Sequence, residues 1–291
     1  MSHCHASLLS DRAAVSLGGG DARKFLQGLI TNDVGKAQGG DAIHAGLLSP
    51  QGKILFDFFV VPVGDGFLLE VARSRAGDLI QRLGFYRLRA QVELAEAPSL
   101  SVAAIWGGLP GLPDGAIAYA DPRLPALGFR AILPAGLDLK ALGCAPEEAE
   151  AYHAQRIALG VPEGGRDYAF GDTFPHEALF DQLNGVDFKK GCYVGQEVVA
   201  RMEHRGTARK RIVPVMGDGP LPASGTPVEV DAVPIGMVGS VSGRSGLAMI
   251  RLDRAETALA GGKALTAGGV KLVLLRPAFA RFSVPGTGVA A

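Results

Sequence analysis

The sequence predicts an α+β fold that ends in a small antiparallel β-barrel. Three observations predict it. Strand-like and helix-like segments mix through the first two thirds without the regular βαβ rhythm of a doubly wound sheet. The last third breaks into short apolar runs separated by Gly and Pro clusters, as in small barrels. Glycine fills 41 of 291 positions, about twice its usual share, and supplies the many tight turns such a chain needs.

The elements follow in order. Residues 13–17 read as a strand. Asp21 is placed to cap a helix carrying Phe25, Leu26, Leu29 and Ile30 on one face. Residues 54–63 and 67–71, joined by Gly64-Asp65-Gly66, read as a hairpin. Ser74 is placed to cap a helix with Leu79, Ile80 and Leu83 inward, ended by Gly84. Residues 85–94 alternate apolar and polar with period two, which predicts a strand whose second face carries Arg87 and Arg89. Strands over 101–105 and 128–133 precede a helix with Pro146 in its first turn, running to Gly160. Strands over 212–216, 228–230, 235–241, 247–252 and 270–275 form the barrel. The domain reading is 1–208 as an α+β region of two interleaved subdomains, 209–282 as the barrel, and 283–291 as a flexible tail.

Composition excludes several classes. Hydrophobic residues make up 47% and charged residues 20%, which fits a folded chain with a real core. Lys+Arg and Asp+Glu number 29 each, and that balance argues against a nucleic-acid coat. The longest apolar stretch, 54–63, contains Asp57 and is too short to cross a bilayer, so no membrane partner is expected. The N-terminus lacks an apolar leader and an Arg-rich amphipathic stretch. The three cysteines, Cys4, Cys144 and Cys192, are widely spaced, with no metal-ligand pattern. Their odd number argues against a disulfide scaffold and for a reducing compartment. A cytoplasmic location is the resulting expectation. His3 and His5 flank Cys4 at the terminus, and no metal site is assigned there.

The segment 184–211, NGVDFKKGCYVGQEVVARMEHRGTARKR, concentrates charge. Seven Lys and Arg stand against three carboxylates in an otherwise neutral chain. Such a run can hold an anion through arginine forks; a solvated helix face with a linker fits the same charges. A helix is predicted from about Gly195 to Gly206. Cys192 then precedes a helix start, with Lys189 and Lys190 beside it, and both features favour thiolate over thiol. A free cysteine buried as a small hydrophobe fits the same spacing. One cysteine falls short of the roughly four ligands of a cubane cluster, so no stably bound cluster is expected.

Residues 190–197, K-G-C-Y-V-G-Q-E, resemble the K-G-C-Y-x-G-Q-E signature of the YgfZ family, which includes mitochondrial factors acting late in 4Fe–4S protein maturation. The resemblance extends to 25–33 (FLQGLITND), 48–57 (LSPQGKILFD), 156–166 and 236–254. The family is similar in fold to the glycine-cleavage T-protein, a tetrahydrofolate-dependent aminomethyltransferase. That implies a ring of subdomains around a central folate channel, closed by the C-terminal barrel. The resemblance makes tetrahydrofolate or a related folate the candidate cofactor. Cys192 becomes the reactive thiol, tuned by Lys190. Tyr193, Gln196, Arg205, Arg209 and Arg211 become an anion site at the channel mouth, with Tyr86, Arg87 and Arg89 as candidate lining.

Two departures stand out. A T-protein hairpin ends in paired aspartates, and Phe56 holds the first position here, leaving Asp57. The T-protein glutamate that grips the pterin corresponds to Ala158. Both argue against a functioning aminomethyltransferase, since a lost charge-assisted hydrogen bond costs about 1.5–3 kcal/mol. The expected function is an accessory role in maturation or repair of 4Fe–4S proteins, with client or assembly proteins and folate as partners. The alternative is a tetrahydrofolate-dependent one-carbon transferase or demethylase with Asp57 as base. A nucleic-acid module using 201–211 is a third reading, opposed by the neutral total charge and the lack of interleaved aromatics.

Overall fold

The computed structural model describes residues 4–108, 110–206 and 208–287. The chain forms two units, one from residues 1–152 and 183–196, the other from 153–182 and 197–291. This division differs from a single cut at 208, because 153–182 returns to the barrel. Arg156 reaches Asp167 at 2.7 Å and Ser240 Oγ at 2.6 Å. Arg211 forks onto Asp181 with both contacts at 2.9 Å.

The first unit contains β1 (His5–Leu8), β2 (Arg12–Gly18), α1 (Ala22–Gln27), β3 (Ile43–Leu48), β4 (Ile54–Val63) and β5 (Gly66–Ala72). They are followed by α2 (Ala76–Arg87), β6 (Glu93–Glu96), β7 (Leu100–Trp106), β8 (Ile117–Ala120), β9 (Phe129–Pro134) and β10 (Ala145–Glu147). The strands build two five-stranded sheets, in the orders β3-β4-β5-β2-β6 and β10-β1-β7-β9-β8. Leu26, Ile30, Phe58, Leu69, Leu79 and Leu83 belong to the main core on the helix side of the first sheet. A smaller cluster around Phe59, Val61, Leu68, Tyr119 and Ile132 joins the two sheets.

The second unit receives most of α3 (Ala149–Leu159) and of α4 (Gln196–Arg205). It continues with β11 (Lys210–Gly217), β12 (Pro227–Val230), β13 (Val233–Ser242), β14 (Ser245–Arg251), α5 (Leu252–Ala260), β15 (Leu265–Ala267) and β16 (Val270–Leu274). Its strands close into a barrel in the order β11-β14-β13-β12-β15-β16.

Several expectations are corrected. Residues 85–94 are not a strand. The helix α2 runs through Gly84 to Arg87, a turn follows, and only Glu93–Glu96 pairs. Tyr86, Ala90 and Leu94 do pack on the core, but a four-residue spacing serves a helix as well as a strand. Asp21 does not cap α1 with its side chain; its carboxylate accepts the Gln91 N–H at 2.8 Å. Pro146 lies in β10, an edge strand that tolerates proline, and α3 starts at Ala149. Helix α5 and strand β15 have no counterpart in the sequence reading.

Two further corrections concern the termini and the cysteines. Val284 is buried with Phe282 against the barrel core, so the expected tail is anchored there; residues 288–291 lie outside the described residues. Cys4 and Cys144 are joined as a disulfide within the first unit, against the expectation of none. The pair ties β1 to β10 where His5 and Ala145 are partners. His3 lies outside the described residues, and His5 pairs with Glu147 at 2.9 Å. Among the described residues no helix is long and apolar enough to cross a membrane.

Candidate functional site

The signature segment is laced onto the end of α1 and the start of β3. Thr31 Oγ1 donates to the Gly185 carbonyl at 2.6 Å and accepts the Gly46 N–H at 2.8 Å. Asn32 donates to the carbonyls of His44 and Asn184 at 2.8 and 2.7 Å. Asp187 accepts the N–H groups of Lys189 and Lys190 and meets Lys36 at 2.8 Å. The Lys190 ammonium then donates to the carbonyls of Gln27, Ile30 and Asn32 at 2.8, 2.6 and 3.0 Å. An ammonium has three donors, so all of them are used, at the helix end where carbonyls otherwise lack partners. Burial brings its pKa down to about 8, against the pull of Asp33 and Asp187.

Two more residues finish the clamp. Tyr193 is buried, and burial pushes its phenol up to about 12. Gly195 has φ +82°, and a Cβ there would sit 2.5 Å from the Ser49 carbonyl oxygen. Only glycine lets the segment approach the 49–52 turn that closely. Between these anchors Cys192 is a free, exposed cysteine.

The geometry corrects part of the expected site. Cys192 is not buried as a hydrophobe. Lys190 does not direct its charge to it, because the ammonium is spent on carbonyls. Gln196 opens α4 and is half-buried. In the second unit, Arg205 and Arg209 are exposed. Arg211 is buried, forked onto Asp181, bonded to the His176 carbonyl at 2.9 Å and stacked 4.4 Å from the Phe282 ring centre. Arg211 therefore has a structural role, with its fork committed to Asp181. Tyr86 is partly buried at the end of α2, while Arg87 and Arg89 are exposed beside Leu88. They do not share a pleated face, since the strand that would align them is absent.

A second cluster was missed by sequence reasoning. Glu70 on β5 is fully buried and accepts Arg12 Nε at 3.0 Å, Arg130 through two nitrogens, and the Tyr119 hydroxyl. Tyr152 accepts from Arg123 at 2.9 Å and Arg130 at 3.0 Å. Arg123 also forks onto Asp121 at 3.0 and 2.7 Å. The Phe59 ring lies under all three guanidiniums, 4.9–5.9 Å from its centre. Burial alone would raise the Glu70 carboxyl, but Arg130 and Arg12 bring it down to about 2. The available signal was a lone charge inside an otherwise apolar strand, as at Glu70 in GFLLEVA.

Asp57 sits next to this cluster, buried on β4 opposite Gly46. His44, two residues from Gly46, has its pKa lowered to about 4 by burial and by Arg123, with Asp57 and Asp121 pulling the other way. The imidazole is thus neutral near pH 7. Phe56 is buried under the Arg75 guanidinium at 4.8 Å, and Ala158 is exposed on α3. Neither position supplies a carboxylate.

The chain is similar to known proteins. The chain is 34% identical over 281 residues to the human protein named iron-sulfur cluster assembly factor IBA57, mitochondrial, covering 83% of this chain and 76% of that one. The chain belongs to the IBA57 family of iron–sulfur cluster assembly factors. The Neurospora crassa homologue is 34% identical over 254 residues, and there the chain spans only 57% of the relative's length. The mouse protein is 34% identical over 282 residues, covering 84% of this chain and 77% of that one. A family model described as the CAF17 C-terminal beta-barrel domain matches residues 209–282. The fold is that of the T-protein. The aminomethyltransferase T of the glycine cleavage system from Bartonella henselae superposes with a TM-score of 0.74 at 17% identity, covering 96% of this chain and 87% of that one. All three relatives bear the word mitochondrial in their names, which overturns the cytoplasmic expectation.

Proposed function

We propose that this chain serves the maturation of iron–sulfur proteins as an assembly factor of the YgfZ kind, with Cys192 as its reactive thiol. Family membership supports the role. The observation that carries the site is the anchoring of residues 184–195, which commits Lys190, Tyr193 and Gly195 to the scaffold and leaves the Cys192 sulfur outward. An exposed sulfur on a fixed loop can meet a cluster carried by another protein. A single thiol is too few to keep one. The cluster is cargo in this reading, and assembly or client proteins are the partners.

The same reading gives the first unit a folate-type ligand. The T-protein fold supports it. Phe56 and Ala158 stand at the positions where the resemblance to the T-protein would place carboxylates, which favours an accessory role over aminomethyl transfer. The test is complementation of cells lacking the endogenous factor, reading the activity of 4Fe–4S enzymes. Cys192→Ser should fail to restore it while the purified variant keeps its fold; full restoration would remove the thiol from the mechanism. Titration of the purified chain with tetrahydrofolate tests the ligand separately.

A further inference from the structure

A groove of about 560 Å³ opens in the second unit between the barrel and residues 165–173. Pockets that hold small organic ligands typically measure about 300–1,000 Å³. All of its lining residues belong to that unit, and none lies within the 184–197 loop that carries Cys192.

The barrel wall of the groove has a direction. Met237 on β13 and Met249 on β14 are cross-strand partners. Arg251 follows Met249 by two residues and so shares its face. Lys210 on β11 is the partner of Arg251. The wall therefore runs from a methionine pair to a cation pair. Like charges directly opposite on antiparallel strands repel, and an anion between them removes that repulsion. Arg251 is partly answered by Asp253, at 2.9 and 2.8 Å. Among the described residues the Lys210 ammonium has no hydrogen-bond or ion-pair partner.

The facing wall adds an aromatic surface and little free negative charge. Tyr168 is held edge-on to Phe170 and Phe180, with ring centres 5.8 and 6.5 Å apart. Asp167 also lines the groove, but its carboxylate is consumed by Arg156 at 2.7 Å and by the N–H groups of Glu163 and Ser240 at 2.8 and 2.7 Å. Gly239 makes that seating feasible, since a Cβ there would lie 2.6 Å from Asp167 Oδ1. Asp172 and Arg166 complete the charged lining. Methionine is flexible and polarisable, so the apolar end can adapt to differing shapes.

We propose that this groove binds a small organic carboxylate, its apolar body against Met237, Met249 and Tyr168 and its head between Lys210 and Arg251. The site is independent of the Cys192 loop and of the proposed maturation role.

The test uses the full chain with methyl-labelled methionine, whose five Met signals report occupancy and fold together. Octanoate, octanol and octylammonium are titrated below their micelle-forming concentrations. Octanoate should shift the Met237 and Met249 methyls and bind at least about tenfold more tightly than octylammonium. Lys210→Glu should weaken octanoate by about tenfold, and Met237→Trp should fill the groove and abolish binding. Both positions are at least partly solvent-exposed, so the remaining methyl signals should stay in place. Equal binding of acid and amine, shifts at other methyls alone, or indifference to Lys210→Glu would each overturn the proposal.

Discussion

The Lys190 ammonium lies 5.2 Å from the centre of the Tyr193 ring, and the two inward side chains bracket the exposed Cys192. The signature segment is thus mostly scaffold. Its cation and its phenol face inward so that one sulfur can face out.

Lys190→Met should detach this loop. Three carbonyls lose their donor at once, and unmet buried acceptors cost about 1–3 kcal/mol each, partly recovered by water. We expect a loss of about 2–4 kcal/mol in denaturant unfolding and faster amide exchange over 184–195. An unchanged exchange pattern would refute the anchoring role.

Thiol counting should separate the cysteines. In the folded, unreduced chain, Ellman's reagent should find one accessible thiol, and Cys192→Ser should remove it. After reduction and denaturation all three cysteines should react. Finding more than one thiol before reduction would contradict the Cys4–Cys144 bond.

His44 should shape the acid limb of stability. Its pKa falls from 6.5 unfolded to about 4 folded. The unfolded chain therefore binds more protons between those values. Stability is fully present above pH 6.5 and is lost as pH falls toward 4, by about 3 kcal/mol at most. His44→Asn should flatten that limb. A variant with the same slope would mean that another group carries it.

Glu70→Gln should be among the most damaging single changes. It leaves Arg130 and Arg12 buried without their carboxylate, a cost of about 3–5 kcal/mol. In the parent chain the contribution of Glu70 is present above about pH 4.5 and is lost as pH falls toward about 2. A loss of less than about 1 kcal/mol in urea unfolding would show that the cluster relaxes around the change.

Leu88→Gly should stabilise the chain. Leu88 has φ +43° and is 90% exposed, so it carries backbone strain without burying its side chain. Glycine adopts positive φ without a Cβ penalty, and a gain of about 1 kcal/mol is expected in thermal or urea unfolding. A loss there would show that Leu88 makes contacts worth more than its strain.

A good deal of the fold was legible in local chemistry. The 54–63 and 67–71 hairpin, the helix after the signature and the run of barrel strands follow from periodicity, turn glycines and short-range packing. Cys192 stood out through its setting between two glycines. The period-two run at 85–94 misled because alternation alone does not mark a helix end: Tyr86 stays in α2, Ala90 falls in the connection and Leu94 in β6.

What only the tertiary structure decided is where each charge ends. Arg12, Glu70 and Arg130 are isolated letters spread over more than a hundred residues, and nothing local pairs them; only Asp121 and Arg123, two residues apart, pair locally. Lys190 and Arg211 sit in one basic run, yet the fold spends one on helix-end carbonyls and the other on Asp181. A Coulomb partner is chosen by distance in space, and distance in space is set by the packing of the whole unit.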